Sequence, residues 1–558
     1  MGSRYVHGAH WAAILDEISQ LRGQLGNEDE IEPQIQSDSN YSTQRSFEPQ
    51  LIYGCAYVPT REEIIASIPP RPEVDRLVSI FFNYFEMSAS AIHSHQFLQE
   101  YEEFWADSST TSFVWLAHLF VIMGLAVQLR LARESGDPSA AMTVGDGDLL
   151  DMLHDFRQKV VQCLTLGNYA KGGPLVLETL LLYLGLELFL RSDAQVSIWI
   201  MLGTIVQLAL HMGYHRDPRH FKNMSVLESE MRKRVWGTVV DLDMATSAQM
   251  GLPRLIKPWQ TDVTEPANLL DSDFDATTIK LPATRPETEL TPVLVRIVKS
   301  RLMNAMGLIW DFAVDVRPHT NAEVEELDQQ LRRAHEAIPE CLKWRSMAQC
   351  VTDPANLIIQ KVFLNIIIQR GRTVLHRKLL QSAPSQAHRI TSEEVCLDAA
   401  LKVLKFQEML DEETRPFCQL HQESWKISSL VTHDFLLAMS VCCVYAQQTE
   451  NINTERKQQV LIALRKSYDI WLRSLSFSKE AQKAVKALSA VLSKEGMAPE
   501  TPVIFEHNSG SPFTNLTSFC SGIDLQFPTF DASVDGATGT SDTFGAFTVP
   551  STSFWARS

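Results

Sequence analysis

Two runs of closely spaced aspartates are the residues in this sequence whose spacing could bind a metal ion. Asp241 and Asp243 are separated by one residue, and Asp271, Asp273 and Asp275 repeat that spacing further along the chain. Paired carboxylates can hold a divalent cation, because Mg²⁺ and Ca²⁺ prefer oxygen ligands. The second run fails as an EF-hand loop, since it lacks the central Gly and has a Pro where the closing Glu belongs. Neither run is complete as a magnesium motif of the terpene synthase type, which needs a second Asn/Ser/Glu set.

Other catalytic signatures are missing from the sequence. Single histidines such as His118, His211 and His376 are not grouped with further ligands, and we expect them to be core or cap residues. The sequence contains no Gly-x-Ser-x-Gly elbow, phosphate-binding loop or dinucleotide fingerprint. We therefore expect no catalytic residues and no enzyme.

The nine cysteines do not suggest a metal site or a disulfide framework. They are scattered without a Cys-x-x-Cys pair, whereas a structural zinc site needs closely spaced ligands. Disulfide frameworks are typical of short secreted chains. We expect no cofactor and no bound metal, with most cysteines buried as small apolar side chains in a reducing compartment. The cysteines are Cys55, Cys163, Cys341, Cys350, Cys396, Cys418, Cys442, Cys443 and Cys520.

The charge of the chain argues against direct binding of nucleic acid. The formal net charge is -17 over 558 residues, whereas a DNA-binding surface needs a basic stripe that neutralises phosphates. The longest basic cluster is Arg232-Lys233-Arg234, which lies inside a helical pattern. We expect no direct contact between this polypeptide and nucleic acid.

The spacing of apolar residues predicts an all-α protein. Apolar residues recur every three or four positions at 73–255 and again at 293–496. The stretch 256–292 is rich in Pro, Asp and Thr and has no clear period, which predicts a long loop. No strand-like alternation is sustained. The predicted segments are a short amphipathic helix at 1–25, a flexible linker at 26–67, a large multi-helix domain at 68–498 and a disordered tail at 499–558.

Three apolar stretches raise the question of membrane spans, and we expect buried helices instead. The stretches are 113–129, 175–190 and 196–212, and each is shorter than the roughly 20 residues that a span needs. Each also contains a polar or charged side chain. Helices that are apolar around their circumference are typical of the interior of a large helical protein. We therefore expect no membrane partner.

The composition changes in the last part of the chain. Between His507 and Trp555 there are four Asp, seven Phe and no Lys or Arg. Such a segment cannot bury enough apolar surface to offset its chain entropy, which predicts disorder. Aromatic residues among acidic ones are also typical of activation segments that dock in a coactivator groove. A plain unstructured terminus fits the composition equally well.

Three motifs in the helical region carry a resemblance to a known family. From Ile68 to Trp105, a Pro-rich entry leads into a helix, a His is followed four residues later by Phe, and an acidic aromatic helix comes next. This order resembles the start of the middle homology region of fungal zinc-cluster transcription factors. The matching residues are His93, Phe97, Tyr101, Phe104 and Trp105.

The second and third motifs follow in the order that the family shows. The second resembles its His-Arg-Asp-Pro turn at a helix end, and the third its basic triplet, Trp, Asp and Gly-x-Pro turn. Two positions depart from the third motif: Gly237 stands where a second aromatic is common, and Leu252 where Arg is frequent. The matching residues are Gly213, His215, Arg216, Asp217 and Pro218 in the second motif, and Arg232, Lys233, Arg234, Trp236, Asp241, Gly251 and Pro253 in the third.

We expect these motif residues to hold the fold rather than to contact a ligand. Arg232 and Arg234 lie about one turn from Glu228 and Glu230, so helix-surface ion pairs would explain the arginines. Trp236 and the apolar residues after it are expected in the core. A Gly-x-Pro sequence suits a helix exit, because Gly tolerates positive φ and Pro cannot continue the helix.

The resemblance implies a transcription regulator of fungal type that works in the nucleus through a helical regulatory domain and the C-terminal tail. We expect control of a metabolic or secondary-metabolite gene cluster. The implied partners are other regulators or coactivators, a small-molecule effector, and a second copy or a related chain. Because no clear nuclear localisation run is present, the cytoplasm stays open as an alternative location.

The family reads DNA with a module in which six cysteines hold two zinc ions, and this sequence has no such pattern. Either the chain begins after that module or the protein works without it. The alternative function is a DNA-independent scaffold or small-molecule sensor that modulates a partner factor. An all-α enzyme is the weaker second alternative.

Overall fold

The described part of the chain is built from α-helices. The computed structural model describes residues 7–18, 51, 57–85, 88–135, 147–317, 320–382, 386–447, 454–476 and 478–497. Within these ranges the regular structure consists of α-helices and short 3₁₀ turns, without a strand. The prediction of an all-α protein is confirmed.

Seventeen α-helices follow one another in the described ranges. Their bounds are α1 Trp11–Leu15, α2 Arg61–Ala66, α3 Arg71–Tyr84, α4 Ser88–Ala91, α5 Ser94–Ala106, α6 Phe113–Ser135, α7 Gly147–Leu166, α8 Val176–Phe189, α9 Val196–His211, α10 Val226–Met250, α11 Pro292–Val314, α12 Asn321–Glu336, α13 Ala355–Ser382, α14 Gln386–Glu413, α15 Ser429–Gln447, α16 Thr454–Leu472 and α17 Lys479–Lys494.

Local sequence explains several helix starts. Thr60, Ser225 and Thr320 each accept a hydrogen bond from the backbone of a Glu three residues later, and that Glu bonds back to the backbone of the capping residue. These capping boxes satisfy amides that the first helical turn leaves without partners. They begin α2, α10 and α12.

The apolar side chains form two hydrophobic cores. The first is built mainly from α2 to α9, with α6 and α8 buried around most of their circumference. The second is built from α1 and α11 to α17. Among the described residues, two helices, α6 and α15, are long and apolar enough to cross a membrane, but 94% and 72% of their apolar windows are buried inside the protein. Burial within the two cores accounts for their composition.

Helix α10 belongs to both cores. Val235, Trp236 and Val239 pack in the first core, whereas Met244 and Ala248 pack in the second. The helix has 25 residues, which corresponds to about 37 Å at the α-helical rise. It therefore joins the two cores along its own length.

Helix α1 packs in the second core, although it precedes the first core in sequence. Trp11, Ile14 and Leu15 are buried there. His10 accepts a hydrogen bond at Nδ1 from the Ala12 amide, and its Nε2 lies 3.1 Å from the Gln249 carbonyl oxygen. The end of α10 therefore anchors the start of α1.

The predicted linker at 26–67 is structured at its end, which corrects that boundary. Residues 61–66 form α2, and Ile64 is fully buried in the first core. The capping box at Thr60 and one buried apolar side chain order this segment despite its polar composition. The rest of the linker, apart from residues 51, 57–60 and 67, and the predicted tail at 499–558 lie outside the described residues.

We predict that Gly251→Ala destabilises the protein more than Gly496→Ala does. Both glycines have positive φ, at +67° and +71°, where an L residue costs about 1–2 kcal/mol. A Cβ at Gly251 would lie 3.1 Å from the His10 Cβ, whereas at Gly496 it would meet open space. Crowding against α1 should add about 1 kcal/mol or more to the loss at Gly251.

Urea unfolding followed by tryptophan fluorescence measures both losses. Gly496→Ala is the matched control for the backbone cost. Equal losses in the two variants would show that α1 does not pack tightly on the end of α10.

Candidate functional site

Helix α10 carries the third motif and buries four charged side chains. Glu230, Arg234, Asp241 and Asp243 are each at most 3% exposed. A buried charge is costly unless it is paired or fully hydrogen-bonded. The contacts of these four residues therefore define what the motif does.

Arg234 connects α10 to two other elements. Its Nη1 lies 2.7 Å from Asp271 Oδ1 and donates to the Ala89 carbonyl oxygen in α4 at 3.2 Å. Its Nη2 donates to the Leu269 carbonyl oxygen at 3.4 Å, and the guanidinium lies over the Phe274 ring. The arginine thus fixes the loop at 269–274 and α4 against α10.

Asp271 extends this network to the start of α5. Its Oδ2 accepts a hydrogen bond from the Ser94 amide at 2.9 Å. Burial acts to raise the pKa of Asp271, but the Arg234 charge and the Ser94 amide outweigh it, and the pKa lies below its usual value. The carboxylate therefore stays ionised beside Arg234.

The first motif lies directly beside this network. His93 caps α5, since its Nδ1 accepts from the Gln96 amide, and its ring packs edge-on against Phe274 at 5.0 Å. Burial lowers the pKa of His93, which favours the neutral ring. Phe97 stacks with the Tyr101 ring in the same helix at 5.8 Å. The motif residues of α5 are thus cap and core residues.

The aspartates of the first acidic run face different partners. Asp241 lies 3.2 Å from Arg296 Nη1 in α11. Asp243 accepts hydrogen bonds from the Leu255 and Ile256 amides at 3.0 and 2.7 Å. Burial raises the pKa of Asp243 above its ordinary value. One carboxylate therefore holds α11 and the other the chain after α10.

The second acidic run is also used by the fold. Asp273 accepts two hydrogen bonds from the Arg285 guanidinium at 2.9 and 2.7 Å. Asp275 accepts from the Thr277 and Thr278 hydroxyls within its own turn. In the described ranges, no group of three or more His, Cys, Asp or Glu side chains could hold a metal ion.

The second motif forms another network around Asp262. Asp262 accepts two hydrogen bonds from Arg216 at 3.1 Å, one from the Asp217 amide at 2.9 Å, and lies 2.7 Å from His220 Nε2. Asp217 accepts from the Thr264 amide and hydroxyl. The bonds from Arg216 hold the pKa of Asp262 well below its usual range.

Burial acts to raise the pKa of Asp217, but the bonds from Arg219 and Thr264 lower it well below its ordinary value. Both aspartates of this network are therefore ionised at neutral pH. Together they fasten the turn after α9 to the long loop.

Arg232 closes the end of α9. It donates to the Met212 carbonyl oxygen, and its guanidinium lies 4.1 Å from the Tyr214 ring centre and 4.8 Å from that of Phe221. A cation at a helix C-terminus compensates the unpaired carbonyls there. Gly213 ends the helix with a φ of +73°. The arginine therefore joins α10 to the second motif.

Trp236 lies between the second motif and the long loop. It is 3% exposed, its indole Nε1 donates to the Thr261 hydroxyl at 2.9 Å, and its ring centre lies 6.3 Å from that of His215. The prediction of a core Trp agrees with this burial. A Cβ at Gly251 would crowd His10, and Pro253 is exposed at the turn that follows.

The predicted surface ion pairs of Arg232 and Arg234 with Glu228 and Glu230 are wrong. In their place, Lys233 pairs with Glu230 at 2.9 Å. Arg232 and Arg234 point into the protein, because their partners lie at the end of α9 and in the long loop. The i, i+3 and i, i+4 spacing on a helix cannot predict partners that are 20 or 37 positions away in sequence.

Some residues of these networks had no signal in the sequence. Arg254 forms a two-point ion pair with Asp311, 57 positions later, and Lys257 shares that carboxylate. Asp262 was also missed. The aspartate pattern did mark Asp271, although its task is an ion pair with Arg234 rather than metal binding.

We predict that Arg234→Met lowers stability by about 3–5 kcal/mol, because it leaves the Asp271 carboxylate without its partner in a partly buried place. The double variant Arg234→Met/Asp271→Asn should lose less unfolding free energy than the two single variants lose in sum. Chemical unfolding of the wild type, the two single variants and the double variant measures the coupling energy between Arg234 and Asp271.

Arg216→Met is the matched control. It breaks an Arg–Asp pair whose side chains are 50% and 41% exposed, so the expected loss is about 0–1 kcal/mol. Additive losses at Arg234 and Asp271 would contradict their coupling.

Comparison with known proteins agrees with the motifs. The fungal specific transcription factor domain matches residues 78–345. The chain is 47% identical to the fusarisetin A cluster transcription factor of a Fusarium species, over 99% of this chain and 76% of that protein. It is 50% identical to the equisetin cluster transcription factor of Fusarium heterosporum, over 88% of this chain and 71% of that protein.

A third relative is a Zn(2)-C6 fungal-type transcription factor of Macrophomina phaseolina, which is 37% identical over 88% of this chain and 67% of that protein. These names describe transcription factors rather than enzymes. The matches cover all three motifs. The chain therefore belongs to the fungal transcription factors that contain the fungal-specific transcription factor domain.

Proposed function

We propose that this protein regulates the transcription of a secondary-metabolite gene cluster and acts in the nucleus. Two relatives with at least 47% identity are named as transcription factors of single metabolite clusters. Similarity over 88% or more of this chain extends well beyond the shared domain at 78–345. We therefore assign the chain the same kind of target.

The identity of 47% and 50% to two cluster transcription factors carries this proposal, and the motif residues themselves point into the helical body. Arg232, Arg234 and Asp241 bind other parts of the same chain. Side chains used in this way stabilise a helical body rather than perform catalysis or contact phosphates. We infer that the helical body has a regulatory task.

We predict that deletion of the gene changes the transcripts of one neighbouring group of biosynthetic genes by about tenfold or more, with the remaining genome much less affected. Transcript sequencing of the deletion strain and of a strain complemented with the wild-type gene measures this effect. Unchanged transcripts of every biosynthetic gene group under producing conditions would contradict the proposal.

A second proposal concerns DNA. The net charge of -17 and the absence of a six-cysteine pattern within these 558 residues argue against specific DNA contact by this polypeptide itself. We predict that the purified 558-residue chain does not bind duplex fragments of the cluster promoters specifically. A gel-shift titration at several salt concentrations tests this, with a full-length zinc-cluster factor as positive control. Sequence-specific binding with a steep salt dependence would refute it.

A third proposal concerns the C-terminal tail. We predict that residues 500–558 activate a reporter when fused to a foreign DNA-binding domain, because spaced aromatics among acidic residues can dock in a coactivator groove. The matched control replaces the seven Phe between 507 and 555 with Ser and keeps every charge. An inert wild-type fusion, or equal activity of the control, would remove this role.

A further inference from the structure

A cleft of about 720 Å³ opens between α3, α5, the loop at 269–272 and the start of α11. This volume is in the range of small-molecule sites. Apolar side chains form its walls, including Val78 and Phe82 from α3, Leu98 from α5, and Leu269 and Val293 from the opposite side. Leu98 is 48% exposed, so an apolar surface is open to solvent there.

The floor of the cleft is part of the Arg234 network. Asp271 and Ser94 line it, and they are joined by the hydrogen bond from the Ser94 amide to Asp271 Oδ2. Arg234 pairs with the other oxygen of Asp271 from inside the protein. The charge of this carboxylate is therefore already compensated.

The rim of the cleft has an excess of negative charge. Arg71 lies 2.5 Å from Glu102 and 3.9 Å from Asp75, so one guanidinium serves two carboxylates. Asp75 also accepts a hydrogen bond from the Tyr101 hydroxyl at 2.6 Å. The side chains of Arg71, Asp75 and Glu102 are between 43% and 64% exposed. A ligand can therefore reach them from solvent.

We propose that this cleft binds a small amphipathic cation, with its apolar body against Val78, Phe82 and Leu98 and its ammonium group between Asp75 and Glu102. Arg71 and Tyr101 contact Oδ1 of Asp75, and Arg71 contacts Oε1 of Glu102. The second oxygen of each carboxylate can therefore accept a hydrogen bond from an ammonium without displacing Arg71. The same surplus charge disfavours anionic ligands.

Such a ligand would lie next to Asp271, which connects Arg234 of the third motif to the start of α5. Filling the cleft excludes water from the side of Asp271 that faces it, so the ligand lies next to the Arg234–Asp271 ion pair. A ligand that binds only the folded chain should raise the melting temperature of the protein. An effector role for the ligand rests on the proposed function, whereas binding itself is measured on the purified chain and is independent of it.

Two fluorescent probes with the same apolar group test the proposal. Dansylcadaverine carries a primary ammonium and dansylglycine a carboxylate. We expect saturable binding of dansylcadaverine to the full chain, at least about tenfold tighter than that of dansylglycine, which corresponds to about 1.4 kcal/mol. Equal or tighter binding of dansylglycine would overturn the assignment of a cationic ligand.

Variants locate the binding. Ser79 lines the cleft and is exposed on α3, so Ser79→Trp should fill the cleft and abolish saturable binding. Ser493→Trp places the same residue at an exposed position on α17, away from the cleft, and should bind as the wild type does. Thermal melting shows that both variants are folded. Wild-type affinity in Ser79→Trp would overturn the proposal.

The double variant Asp75→Asn/Glu102→Gln keeps the shape of the rim and removes its surplus charge. It should weaken the binding of dansylcadaverine by about tenfold, as expected for loss of a charged hydrogen bond. Its affinity for dansylglycine should stay equal or rise. Unchanged affinity for dansylcadaverine would show that the carboxylates do not hold the cation.

Discussion

The structure depends on the compensation of charges that α10 carries into the interior. Arg234, Asp241 and Asp243 are almost fully buried on one helix that belongs to both hydrophobic cores. Each is compensated by a different element: the loop after α10, α11, or the chain that directly follows the helix. Because breaking such contacts leaves a charge without a partner inside the protein, these elements are fixed relative to α10.

The long loop at 256–292 gains its order from the same requirement. It has little regular structure, yet it supplies Thr261 to Trp236, Asp262 to Arg216 and Asp271 to Arg234. These contacts explain why polar residues recur in a segment without helical periodicity. They also explain why the three motifs, which are far apart in sequence, lie next to one another around α9, α10 and α5.

The helical class, the long loop and the core position of Trp236 followed from the sequence, because apolar periodicity and turn residues are local signals. The partners of Arg232 and Arg234 did not follow from the sequence, because the spacing of neighbours on a helix favoured Glu228 and Glu230. The actual partners are set by how the loop folds back on α10, which no spacing encodes. The same reason explains why the aspartate spacing did not reveal the role of Asp271: a row of aspartates has the same pattern whether an arginine or a cation lies opposite.

The central claim is that α10 joins the two cores into one cooperative unit, and native-state hydrogen exchange tests it most directly. We predict that the slowest amides of α6, in the first core, and of α15, in the second, exchange through openings of equal free energy and equal denaturant dependence. Openings of clearly different free energy in the two helices, each with its own denaturant dependence, would show that the cores unfold independently and would contradict the claim.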